Sequence, residues 1–178
     1  MNNYWSQIDK ISEDFFKTFG HLSAEQLNWK PNANTWSIAQ NINHLIVVGE
    51  TYYSTFAALK AHTYKPPLIA KLKIFVSFFE KVILDAVQPD RRKKMKTFPI
   101  WEPTVSELPA DILEQFRAFQ ATLKSHIEDL TDLAAQGAVI SSPANKNIVY
   151  RLEIAFEIII THEKRHFEQA KEVLSALK

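Results

Sequence analysis

The stretch from Asn147 to Ala176 reads NIVYRLEIAFEIIITHEKRHFEQAKEVLSA and predicts a long helix that closes the chain. Its apolar residues recur with the period of an α-helix rather than that of a strand. At about 100° per residue, one face of this helix carries Leu152, Ala155, Ile158, Ile159, Ala170 and Val173 together with His162 and His166. An apolar face of this kind turns toward a protein core. Both histidines are therefore predicted to point inward.

Four further helices are predicted upstream. The first, third and fourth of these helices span about Asn3–Phe19, Leu68–Val87 and Ala110–Ala135. The second begins near Ser37, and its apolar stripe extends to Leu59. The connections between these helices are His21–Thr35, Pro66-Pro67, Pro89–Pro109 and the loop Gln136–Lys146. Long helices with few glycines predict one all-α domain over residues 1–178, a four-helix bundle with an additional short helix.

Composition excludes several classes of function. The 178 residues contain no cysteine and three glycines, which excludes thiolate metal sites and glycine-rich phosphate loops. The net charge of +1 gives no electrostatic reason to expect a nucleic-acid partner. No apolar run is long enough to cross a membrane, and the N-terminus does not resemble a secretory signal. We therefore expect a cytoplasmic protein with neither nucleic-acid nor membrane partners.

The two inward histidines are the first candidates for chemistry. His162 and His166 lie about 40° apart around the helix and about 6 Å apart along it, so both rings can reach one metal ion. The same spacing would also be found if both were core histidines hydrogen-bonded to other side chains, with no metal ion. A third ligand would have to come from upstream, and spacing alone does not choose among the candidates. These candidates are His21, His44, His62, His126 and the carboxylates.

The segment His162–His166 also matches the H-E-x-x-H pattern of zinc peptidases, in which Glu163 would act as the general base. This interpretation is disfavoured because the twelve residues after His166 supply only glutamates of the same helix as a third ligand. We expect Glu163 to be solvated beside Lys164. A di-iron bundle needs a second E-x-x-H element, which the chain lacks.

Two segments together resemble a known family. WSIAQNINHL, residues 36–45, resembles the W-S-x-x-[QE]-x-x-x-H-[LI] signature of the DinB/YfiT-like superfamily. HEKRHFEQ, residues 162–169, resembles the closing H-x-x-x-H-x-x-Q element of the same superfamily. The resemblance to a DinB-like domain spans nearly the whole chain.

This resemblance implies an up-down-down-up four-helix bundle that holds one divalent metal ion, nickel or zinc, through His44, His162 and His166. Characterised members of the superfamily include metal-dependent transferases that use low-molecular-weight thiols. The resemblance therefore implies a thiol S-transferase acting on a small-molecule substrate. The alternatives are a metal-dependent hydrolase of a small substrate and a non-catalytic metal-binding or stress-response bundle.

Several weaker features complete the set of expectations. Gln40 and Gln169 lie one turn from His44 and His166. Gln40 is either a pocket residue or the residue that completes a capping box with Ser37, and Gln169 is either a pocket residue or a solvated amide. The basic run from Arg91 to Lys96 is interpreted as a solvated loop. Trp101 either borders a pocket or folds its connection onto the bundle. A second apolar stripe on the last helix needs cover from the third helix or from a partner chain, which makes a homodimer an expectation. This stripe consists of Phe156, Ile160 and Phe167.

Overall fold

The structure is a computed structural model that describes residues 3–90, 97–103 and 107–177. Its helices are α1 (Tyr4–Phe19), α2 (Ala24–Asn28), α3 (Ile38–Glu50), α4 (Tyr53–Lys60), α5 (Lys73–Val87), α6 (Ile112–Ala135) and α7 (Leu152–Ala176). Short 3-10 turns cover Leu68–Lys71 and Pro99–Trp101, and a hairpin consists of β1 (Val139–Ser142) and β2 (Asn145–Arg151). The predicted all-α fold is confirmed, with this small antiparallel sheet as an addition. The basic run Arg91 to Lys96 lies outside the described residues.

Two of the predicted helices are divided, and one connection contains a helix that was not predicted. Helix α2 follows Ser23, which forms a reciprocal capping box with Gln26 inside the connection expected to be irregular. The predicted second helix breaks at Thr51 and Tyr52 into α3 and α4. The predicted third helix breaks at Leu72, whose backbone is extended.

The start of the last helix was predicted wrongly. Residues 147–151 belong to β2, and α7 begins at Leu152. Val149 and Tyr150 are buried, and residues of these types fit a pleated strand well. The Tyr150 hydroxyl lies 2.7 Å from the Tyr52 hydroxyl, which joins the hairpin to the start of α4. Gly137, with φ +76°, makes the turn from α6 into β1.

The core is formed mainly by α1, α3, α6 and α7, which pack against one another. The predicted second stripe of α7 is covered within the chain. The Tyr4 ring of α1 packs edge-on against Phe156 at 5.8 Å, and the Phe15 ring packs against Phe167 at 5.1 Å. Helix α5 also packs against α7. This stripe therefore gives no argument for a partner chain.

Helix α5 turns Val76 and Glu80 toward the core. Both residues are buried, whereas Phe75 and Leu72, which directly precedes the helix, are exposed. The Glu80 carboxylate accepts hydrogen bonds from the backbone N–H of Arg151 at 3.0 Å and from its guanidinium at 2.8 and 3.1 Å. These charge-assisted bonds fix the rotation of α5 about its axis.

Among the described residues, no helix is long and apolar enough to cross a membrane.

Candidate metal centre

Three of the six histidines come together inside the bundle. His44 of α3 and His162 and His166 of α7 each offer a ring nitrogen, and these three atoms lie within 4.8 Å of one another. The Nε2 atoms of His162 and His166 are 3.0 Å apart. The ring of His44 lies 5.1 Å from that of His162 and 4.7 Å from that of His166, centroid to centroid. The predicted inward direction of both α7 histidines is confirmed.

The start of α3 fixes where His44 lies. Ser37 caps the helix by accepting a hydrogen bond from the backbone N–H of Gln40, and the Gln40 side chain accepts one from the backbone N–H of Ser37. This capping box sets the first turn of α3. His44 follows two turns later and is buried. Its Nδ1 lies 2.8 Å from the carbonyl oxygen of Trp101, so Nδ1–H donates and Nε2 keeps its lone pair.

Asn41 holds the second ring in an equivalent way. The Asn41 side-chain amide donates to the carbonyl of Ser37 at 2.9 Å, which directs its own oxygen toward His166. That oxygen lies 2.8 Å from Nδ1 of His166. His166 therefore donates from Nδ1, and its Nε2 is an acceptor that lies 3.0 Å from Nε2 of His162. A carbonyl acceptor behind a ring nitrogen is the usual support of a metal-binding histidine.

Trp36 covers the histidine rings from one side. Its ring stacks on His166 with an interplanar angle of 14° at 5.8 Å and packs against His44 at 4.9 Å. Trp36 directly precedes the capping serine, so one short segment supplies the cover, the helix cap, the support for His166 and the ring of His44. These roles give the sequence pattern of residues 36–45 a physical reason.

Burial keeps the three imidazoles neutral. It lowers the pKa of His44 to about 4, although the Trp101 carbonyl opposes this shift. It also lowers the pKa of His162 to about 3, with further lowering by His44 and Arg165. The pKa of His166 falls well below its ordinary value for the same reason, with His162 and His44 adding to the shift. A metal ion binds the neutral form of histidine, so the rings are in the binding form at neutral pH.

The donor set fits a divalent transition metal ion. Neutral imidazole nitrogens suit nickel and zinc, and three of them with an open position form a common catalytic arrangement. Nitrogen ligands about 2.0–2.1 Å from a tetrahedral ion lie roughly 3.3 Å from one another. The three nitrogens of this site, all within 4.8 Å, approach that spacing. The three histidines could therefore hold a metal ion.

Glu163 is not solvated, contrary to the expectation. It is 1% exposed, and its carboxylate accepts a hydrogen bond from the Gln120 side-chain amide at 3.0 Å. Burial raises the pKa of this carboxyl group to about 8, against the opposing effects of Gln120 and Lys164. Glu163 points into the contact between α6 and α7, because its position lies about 100° around the helix from His162.

The other predicted site residues have separate places. Gln40 belongs to the capping box of α3, and Gln169 is partly exposed. His21 and His62 are exposed, as expected. His126 packs on the rings of Tyr53 and Phe56, outside the histidine cluster.

Sequence reasoning did not identify two groups that support the rings. Asn41 stands four residues after the cap residue Ser37 and three residues before His44. Residues three or four apart lie on the same face of a helix, so this spacing gave a usable signal. Trp101 acts through its backbone carbonyl, which any residue type would supply. Its side chain gave no indication of that role.

Replacing Asn41 by Leu should weaken metal binding about 10- to 100-fold, because His166 loses the acceptor that orients its ring. Asn43→Leu is the matched control, since Asn43 lies on the same helix but is not in the cluster. Competition with a chromophoric chelator measures both affinities. Equal affinities for the two variants would contradict this role of Asn41.

The buried groups also predict how stability depends on pH in the metal-free protein. Below pH 6.5 the unfolded chain takes up protons that His44 and His162 exclude, so the free energy of unfolding falls as the pH drops from 6.5 toward 4. Glu163 acts in the opposite direction. Its folded form keeps a proton that the unfolded chain loses above pH 4.5, so this contribution falls as the pH rises toward 8.

Between pH 6.5 and 8 the wild type should therefore lose about 1–2 kcal/mol of unfolding free energy through Glu163. The Glu163→Gln variant should lose much less, because the amide does not titrate. Urea unfolding in the presence of a chelator at several pH values measures both slopes. The same slope in both proteins would show that Glu163 is ionised in the folded state.

Comparison with known protein families gives a match. The family model of the DinB superfamily matches residues 7–170, a range that contains all three clustered histidines. No curated protein and no solved structure gives a significant match. The matched range covers most of the 178 residues. The chain is a member of the DinB superfamily.

Proposed function

We propose that this protein is a divalent-metal-dependent enzyme, a thiol S-transferase whose metal ligands are His44, His162 and His166. The observation that carries the proposal is the convergence of three neutral imidazoles, those of the buried His44 and His166 and the partly buried His162, with ring nitrogens within 4.8 Å of one another. A divalent ion bound there would be a common partner for the three ring nitrogens. Nickel or zinc is the proposed ion, in keeping with an all-imidazole site.

The proposed chemistry follows from the charge of the site. A divalent ion held by His44, His162 and His166 would lower the pKa of a bound thiol or water toward neutrality. In the reaction, the sulfur forms a bond to an electrophilic carbon of the second substrate. The bond to the leaving group breaks with its electron pair, and the thiol proton passes to solvent.

The protein's own residues supply position and a restricted environment. The Trp101 carbonyl and the Asn41 side chain accept hydrogen bonds from His44 and His166, respectively, and so fix both rings. Trp36 covers the cluster on one side. Gln40 contributes through the cap of α3. Gln169, one turn beyond His166, is proposed to line the approach to the site. Low-molecular-weight thiols are kept reduced in the cytoplasm, which is the proposed compartment.

Two alternatives use the same cluster. A metal-dependent hydrolase would activate water in place of a thiol, and a non-catalytic stress-response bundle would use the ion for stability. A zinc peptidase is disfavoured by an observation of the structure. The Glu163 carboxyl group, which would be the general base, is buried in the contact with Gln120 of α6 and accepts a hydrogen bond from it.

The test is the consumption of a small electrophile by the metal-loaded protein with and without a low-molecular-weight thiol. We expect turnover only when thiol is present, loss of turnover in His44→Ala, and near wild-type turnover in His126→Ala and Glu163→Gln. Turnover without thiol would favour the hydrolase. If no turnover is seen and a chelator lowers the melting temperature strongly, the non-catalytic bundle is favoured. If only Glu163→Gln loses activity, the peptidase is favoured.

A further inference from the structure

A cavity lies at the end of the bundle where α1 and α7 begin and α6 ends. Its volume is about 310 Å³, and small-molecule sites occupy about 300–1,000 Å³. Its walls come from the first turn of α1, the C-terminal half of α6 and the first turns of α7. The described residues that line it include neither the clustered histidines nor the groups that support their rings. The cavity therefore does not depend on the proposed function.

Three aromatic side chains form much of the wall. Tyr4 and Trp5 come from α1, and Phe156 comes from α7. The Tyr4 and Phe156 rings meet edge-on with an interplanar angle of 74°, like two walls of a corner. The Tyr4 hydroxyl donates to the backbone carbonyl of Glu153 at 3.3 Å, which holds Tyr4 against α7. Trp5 is 38% exposed and forms the side of the cavity nearest to solvent.

Helix α6 leaves room for the cavity because small side chains line it there. Ala134 and Ala135 contribute only a methyl group each. The Thr131 hydroxyl donates to the carbonyl of Ile127 at 2.8 Å, so its hydrogen is used within the helix. A ligand therefore meets mainly apolar surface on this side.

Glu153 is the one charged side chain in the described lining of the cavity. Its carboxylate lies 2.7 Å from the guanidinium group of Arg151. The same guanidinium donates to both carboxylate oxygens of Glu80, at 2.8 and 3.1 Å. One positive charge is thus shared by two carboxylates, which leaves this group with a net negative charge.

The Glu153 carboxylate is open to competition for its partner. The Arg151 and Glu153 side chains are 44% and 39% exposed, and ion pairs with this exposure are weak. Two further exposed carboxylates have the same sign, since Glu157 follows Glu153 by one turn on α7 and Glu128 stands three residues before Thr131 on α6. The charge at this end of the bundle therefore favours a cationic ligand over an anionic one.

Aromatic rings beside a carboxylate are the combination that recognises quaternary ammonium groups. The charge of such a group is spread over methyl groups, which also fit an apolar wall. A primary ammonium group is more strongly hydrated and loses more by entering the cavity. We propose that this cavity binds a small organic cation of the quaternary ammonium type, with its head group among Tyr4, Trp5 and Phe156 and with Glu153 as the counter-ion.

Titration of the full chain with choline tests the proposal, followed by nuclear magnetic resonance of the tryptophan indole N–H groups. The neutral carbon analogue of choline, in which carbon replaces the nitrogen, is the matched ligand without charge. We expect a saturable shift of the Trp5 signal but not of the Trp29, Trp36 and Trp101 signals, and affinity for choline about tenfold above that for the analogue. Equal affinities, or no saturable shift of the Trp5 signal with choline, would overturn the proposal.

Two variants locate the binding. Glu153→Gln should weaken choline binding about fivefold and leave binding of the neutral analogue unchanged, because only the counter-ion is lost. Glu114→Gln is its control, since Glu114 is also a first-turn glutamate paired with an arginine.

Ala135→Leu should weaken binding of both compounds, because the larger side chain fills part of the cavity. Ala118→Leu is its control, since Ala118 is exposed on the same helix and does not line the cavity. Wild-type affinity for choline in both Glu153→Gln and Ala135→Leu would place the binding elsewhere and would refute the assignment.

Discussion

The hydrogen bonds behind the histidine rings are the interactions on which the site depends. Asn41 links the first turn of α3 to His166 of α7 through two bonds of 2.9 and 2.8 Å. The Trp101 carbonyl holds His44 in the same tautomer. With both Nδ1 atoms donating to fixed acceptors, the Nε2 lone pairs are directed toward a common point. The cap of one helix thus determines the direction of a ring on another.

Much of this arrangement could be predicted from the sequence. The helical period placed His162 and His166 on the core face of α7, and the family resemblance added His44. Trp101 could not be predicted, since it contributes a backbone carbonyl across a long connection. Glu163 was misassigned because a carboxylate next to Lys164 is normally solvated, and only the position of Gln120 on α6 makes its burial tolerable.

The errors in the fold have similar causes. The apolar residues before Leu152 are compatible with either a helix or a strand. They form a strand because they pair with β1. On α5, the bonds between Glu80 and Arg151 turn a polar residue inward, and Phe75 of the same helix is exposed. In both cases a contact with a distant segment overrides the local pattern, and that contact is not visible in the local sequence.

The central claim is that one divalent ion is bound by imidazoles from two helices, and metal content measured by mass spectrometry on purified protein tests it most directly. The account predicts about one nickel or zinc ion per chain in the wild type and in His126→Ala, and loss of most of that metal in His44→Ala. Equal metal in His44→Ala and the wild type would contradict the account, because His44 would then not be a ligand.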